Sequence, residues 1–173
     1  MGLLAQLHRD AEAPTGHDCP AWRTWDEVYD GRHGVLQVGL ERTACFGECP
    51  VYTAVIHATG LVEYQGDWHV DRLGEHRGRV SLYDFRCLAQ FIQGTDFREM
   101  ETSYDFSDCV VSDCASAYVM VVTEGRRKVV SNHGNAGPPA PWAIAELIDS
   151  VMRGVTWEGA VNAEPSTAAD GGA

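Results

Sequence analysis

Val51-Tyr52-Thr53-Ala54-Val55-Ile56-His57-Ala58-Thr59-Gly60-Leu61-Val62-Glu63-Tyr64-Gln65 reads as two strands and the turn between them. Tyr52, Ala54 and Ile56 fall on one face, and Val51, Thr53, Val55 and His57 on the other. Ala58-Thr59-Gly60 makes a tight turn, after which Val62 and Tyr64 alternate with polar neighbours. A link this short joins only antiparallel strands. Upstream, residues 35–43 alternate Leu36, Val38 and Leu40 against Gln37, Gly39 and Glu41, so another strand precedes the hairpin. Downstream, Gly66 and Gly74 bound Trp68-His69-Val70, an optional fourth strand, and Gly78 to Ser81 leads out of the sheet.

Helical spacing follows. Leu82, Phe85, Leu88, Ala89 and Ile92 share one face, with Ser81 placed as N-cap and Gly94 just past the end. Cys87, inside this helix, reads as a small core residue. Ala117 to Thr123 is a run of strand formers, and Glu124-Gly125 turns it into Lys128-Val129-Val130-Ser131. Pro138, Pro139 and Pro141 introduce a closing helix with Ile144, Leu147, Ile148 and Val151 on one side, stopped by Gly154. The expected order is βββ(β)-α-ββ-α: an α+β domain over residues 34–154, with five to six antiparallel strands and both helices on one face. Such a domain buries about two-thirds of its unfolded surface and needs no metal or disulfide staple.

Outside this body the sequence changes character. Residues 1–33 read as an N-terminal arm carrying a short helix, in which Thr24 and Glu27 form a capping box and Trp22, Trp25 and Tyr29 make an aromatic side. Residues 155–173 are expected to be a disordered acidic tail, lacking the apolar content to offset its ordering entropy. Lys and Arg number 13 against 25 Asp and Glu, a formal net charge of −12, which argues against a nucleic-acid partner. No stretch reaches the roughly 18 apolar residues of a membrane helix. The run Met1 to Ala5 breaks at Gln6 and makes no export signal, so the expected compartment is the cytoplasm.

In a reducing compartment cysteines serve more often as metal ligands, catalytic groups or buried thiols than as structural bridges. Cys45 and Cys49 are separated by three residues, Gly47 in the middle, a spacing that can bring two sulfurs within disulfide range. The segment Leu40-Glu41-Arg42-Thr43-Ala44-Cys45-Phe46-Gly47-Glu48-Cys49-Pro50-Val51-Tyr52 resembles the opening signature of a widespread bacterial family of uncharacterised small domains, a domain of unknown function. The resemblance continues through Gly60, Val62, Tyr64 and Gly66, then Phe91, Phe97, Ser112-Asp113, Lys128-Val129 and Leu147-Ile148-Asp149. It implies that family's α+β fold and no established activity. Many relatives look exported or lipid-anchored, and this chain departs from them at its N-terminus. Cys109 and Cys114 are not part of the signature.

Three chemistries fit the cysteines. The first is a binding or scaffold module, non-catalytic, in which Cys45 and Cys49 shape a rigid loop as a bridge or as packed thiols; its surface would lie around Arg42, Cys45, Cys49 and Tyr52. The second is a structural zinc site on Cys45, Cys49, Cys109 and Cys114, whose two gaps both suit zinc knuckles. The third is a thiol-redox enzyme using Cys45 and Cys49, for which Arg42 and the loop amides would lower a thiol pKa. The first is the expectation carried forward, with no cofactor and with a protein or small molecule as partner. Asp105, Asp108 and Asp113 read as a solvated acidic loop, and His57 and His133 as surface or turn residues. No Gly-x-Ser-x-Gly, His-Glu-x-x-His or phosphate-loop pattern occurs.

Overall fold

The computed structural model describes residues 34–106 and 113–159. Along the chain come β1 (Val35–Arg42), β2 (Val51–His57), β3 (Leu61–Trp68), β4 (Gly74–Arg79), α1 (Leu82–Gln93), β5 (Ser103–Tyr104), β6 (Ser116–Thr123), β7 (Arg126–His133), α2 (Pro139–Met152) and β8 (Thr156–Trp157). The strands form one sheet in the order β5-β7-β6-β1-β2-β3-β4-β8. The α+β class and the two helices are as expected. The sheet is larger, with eight strands among the described residues, and it is mixed, because β5 runs parallel to β7 through Ser103↔Ser131 and Tyr104↔Asn132.

The differences have local causes. β5 and β8 are two residues long, too short to show a period of two. β4 reads Gly-Glu-His-Arg-Gly-Arg and offers no apolar alternation; its inward positions are His76 and Gly78. The expected strand at Trp68-His69-Val70 does not form, since β3 ends at Trp68 and residues 69–73 are a loop. A register shift between Val35 and Gln37 turns Val35 inward and leaves Leu36 44% exposed, against its expected place beside Val38 and Leu40. The domain also runs past 154: Thr156 and Trp157 pair with Arg79 and Gly78, inside the span expected as a tail. The arm with its aromatic helix, and residues 160–173, lie outside the described residues.

One face of the sheet carries the core. Val38, Leu40, Ala54, Ile56, Val62, Val119 and Val130 point inward together and are fully buried. Phe85, Leu88, Ala89 and Ile92 of α1 and Ile144, Ala145 and Ile148 of α2 close over them. Ser81 caps α1, its Oγ accepting from the Asp84 amide at 3.0 Å. Thr53, Val55, Glu63, Gln65 and Arg77 lie on the opposite face, where His57 meets Glu63 at 3.1 Å. No helix among the described residues is long and apolar enough to cross a membrane.

Candidate functional site

The cysteine turn continues the β1–β6 ladder beyond its last assigned pair. Thr43 donates its amide to the Ser116 carbonyl at 3.0 Å, and Phe46 donates to the Asp113 carbonyl at 3.1 Å. The Ser116 amide in turn donates to Thr43 Oγ1 at 2.8 Å. Within this frame the Cys45 and Cys49 sulfurs lie within disulfide range, with Cα atoms 5.7 Å apart. The Phe46 side chain between them is 90% exposed, and Pro50 follows into β2. Extending the pairing Arg42↔Ala117 along the same ladder sets Cys114 across from Cys45. Cys114 is a half-buried free thiol, as is Cys87 on α1, which sits at the edge of the core more than within it. Cys109 lies outside the described residues. Among the described residues no group of three His, Cys, Asp or Glu side chains is placed to hold a metal ion.

Arg42 and Tyr52 are a register pair on β1 and β2, and both face α2. Arg42 Nη2 donates to Glu146 Oε1 at 2.9 Å and to Asp149 Oδ2. The Tyr52 hydroxyl donates to Asp149 Oδ1. One carboxylate thus fastens two adjacent strands to the second helix. Tyr52 is only 8% exposed, and burial first, then the bond to Asp149, pushes its phenol pKa well above the ordinary value. For Arg42, burial alone would favour loss of the proton, but Asp149 and Tyr52 together outweigh it and hold the guanidinium charged. Both candidate surface residues, Arg42 and Tyr52, are thus already engaged with α2.

Tyr52 opens a chain of rings. Its ring stacks on Tyr64 with centroids 5.5 Å apart, Tyr64 meets Trp157 edge-on at 5.3 Å, and the Arg72 guanidinium lies over Trp157 at 5.0 Å. Arg72 reaches there because the loop after β3 folds back tightly. A Cβ on Gly66 would lie 1.9 Å from the Arg72 carbonyl oxygen, so only glycine fits at this point of β3. His69, at the start of the loop, takes φ of 51°, the left-handed region that non-glycine residues rarely occupy. Between this wall, Pro50 and the last turn of α2 lies a cleft of about 790 Å³, also lined by Arg153 and Met152. Its size is that of a small-molecule site.

Trp157, Arg72 and Arg153 were not legible as site residues. Trp157 falls in the presumed tail, and Arg72 sits in a charged stretch without periodicity. Asp149 belongs to the matched Leu147-Ile148-Asp149, and its place on the polar flank of an amphipathic helix was the signal available for it.

Fold and cleft together define a small α+β domain that carries an open cleft beside a cysteine-proline turn. A family model described as a domain of unknown function (DUF6438) matches residues 36–152, and the chain belongs to that family. The matched span holds the whole cysteine turn, Tyr52, Tyr64, Gly66 and Asp149, and stops before Trp157. No curated protein and no solved structure matched the chain.

Proposed function

We propose that the domain is a non-catalytic binding module whose ligand sits in the cleft between Pro50, the Tyr64–Trp157 wall and the end of α2. The observation that carries this reading is the interlocked wall itself: each ring is held by the next, and the innermost by Asp149. A surface fixed in this way loses little side-chain entropy when a ligand lands on it. Asp149, which holds the innermost ring, is already bonded to Arg42 and Tyr52, which favours a structural part for it over proton transfer. The Cys45–Cys49 turn holds Pro50 at the rim, as a bridge outside a reducing compartment and as packed thiols in the cytoplasm.

The test is an amide-resonance screen of the ¹⁵N-labelled protein against a library of small polar and aromatic fragments. Hits are expected to shift the amides of Tyr64, Val70, Arg72 and Trp157 together. Hits that cluster on the opposite sheet face around Glu63 and Arg77 would overturn the assignment.

A further inference from the structure

Resting on that binding reading, we infer that the cleft takes the carboxylate of a ligand with an apolar body. The protein carries a net charge of −12, yet the cleft presents two guanidiniums, Arg72 and Arg153. Neither has a carboxylate within ion-pair distance among the described residues. Asp149 on the cleft wall shares Arg42 with Glu146, and Asp71 lines the cleft without an ion-pair partner among the described residues. Asp67 accepts from Gln65 at 3.0 Å, while its charge still reaches the Tyr64 hydroxyl. Arg72 and Arg153 are thus the cleft's cations without an ion pair, and the carboxylates around them favour a ligand with a single negative charge over a dianion.

Geometry narrows the class further. The Arg72 guanidinium is held over the Trp157 ring at 5.0 Å, and a guanidinium placed there offers the paired N–H hydrogen bonds that suit a planar carboxylate. Arg153 stands one residue past α2, where the helix C-terminus itself favours a cation. The Tyr64 hydroxyl, whose pKa is raised by burial and then by Asp71 and Asp67, stays protonated and is available as a third donor. Pro50, Val70 and Met152 supply the apolar surface for the rest of the ligand. The loop that carries Arg72 is held in place by the close approach over Gly66 and begins at the left-handed His69. Unfavourable backbone of this kind gathers at ligand sites.

The source of the carboxylate is either a small organic acid or the C-terminus of a peptide, and one titration series distinguishes them. The full chain is titrated with N-acetylphenylalanine, with its uncharged amide, with phenyl phosphate, and with a hexapeptide ending in a free phenylalanine carboxylate. Amide shifts in the cleft report binding. The acid is expected to bind about tenfold or more tighter than the amide, the difference made by charge-assisted hydrogen bonds. Arg153→Gln, on an exposed side chain, should remove most of that preference without loss of folding. Binding of the hexapeptide at least as tight as the acid identifies a chain end; much weaker binding identifies a small acid. Equal binding of acid and amide in the cleft overturns the carboxylate inference and leaves the cleft a binding site. Tighter binding of phenyl phosphate, or no cleft shift from the acid, also overturns the inference. Shifts from every probe confined to other surfaces overturn the binding reading along with it.

Discussion

Asp149 receives hydrogen bonds from two side chains more than ninety residues away in sequence, with separations of 107 to Arg42 and 97 to Tyr52. It is the point where β1, β2 and α2 are tied. Its effect should be visible through Tyr52. The folded state holds the Tyr52 proton at pH values where an unfolded tyrosine, near 10, releases it. A raised pKa stabilises the fold fully below the unfolded value, and that contribution is lost as pH climbs toward the folded one. Wild type should therefore lose stability above pH about 10, and Tyr52→Phe should lose less over the same interval. At pH 7 the variant should be less stable by about 1.5–3 kcal/mol, the value of a hydrogen bond to a charged acceptor. Urea unfolding at pH 7, 10 and 11 measures both, and an identical alkaline slope in the two proteins would refute the role given to the phenol. Arg42 and Tyr52 stand out in sequence because they flank the Cys-x3-Cys box. Their partner does not, since nothing local in Leu147-Ile148-Asp149 says which strands will lie beneath the helix.

At the scale of elements, the stretch from Gly66 to Gly74 shows how backbone geometry sets the cleft. Gly66 lies opposite Gly74 in the β3–β4 register, and the loop between them returns so closely that its carbonyl fills the space of a missing side chain. Gly66→Ala should push the loop away, destabilise the fold by about 1–3 kcal/mol as other overpacking changes do, and separate Arg72 from Trp157. Thermal unfolding measures the first effect, and the Trp157 indole resonance measures the second. An alanine variant with wild-type stability and an unmoved indole signal would show that the loop is free to shift. The two helices, the hairpin of β2 and β3 and the strands β6 and β7 were legible because each carries its own apolar period. β4, β5 and β8 were not, for they borrow their burial from neighbours. The Cys45–Cys49 turn was legible as a local motif, but a loop so small contributes only about 2 kcal/mol by chain entropy. In the proposed reading its part is to set the rim of the cleft, with little consequence for the stability of the rest of the fold.

For the whole molecule, the question is where the cooperative unit ends. Composition places the boundary at Gly154, where the last helical period stops, yet the sheet continues to Trp157. The backbone there is tied to β4 by the Thr156 and Trp157 pairing and by the Glu158 amide, which donates to the Arg77 carbonyl at 2.8 Å. Trp157 adds ring contacts with Tyr64 and with His76, the latter at 6.0 Å, and carries Arg72 on its face. Gly78, its partner in β4, has no space for a side chain, because a Cβ would lie 2.5 Å from Val155 Cγ1. A chain ended after residue 154 thus loses an edge strand, a large half-buried aromatic and one wall of the cleft at once. Removal of a tryptophan from a packed site costs about 3–5 kcal/mol, and half-exposure here reduces that to roughly 2–3. At a few degrees per kcal/mol for a domain of this size, its Tm should fall by about 10 °C relative to a chain ended after residue 159. The chain ended after 159 should match the full-length protein and keep whatever ligand response the cleft has. Calorimetry on the three chains decides the matter: equal Tm values for the 154 and 159 endings would mean that β8 only rests on a fold complete without it, and the wall that Trp157 provides would lose its structural footing.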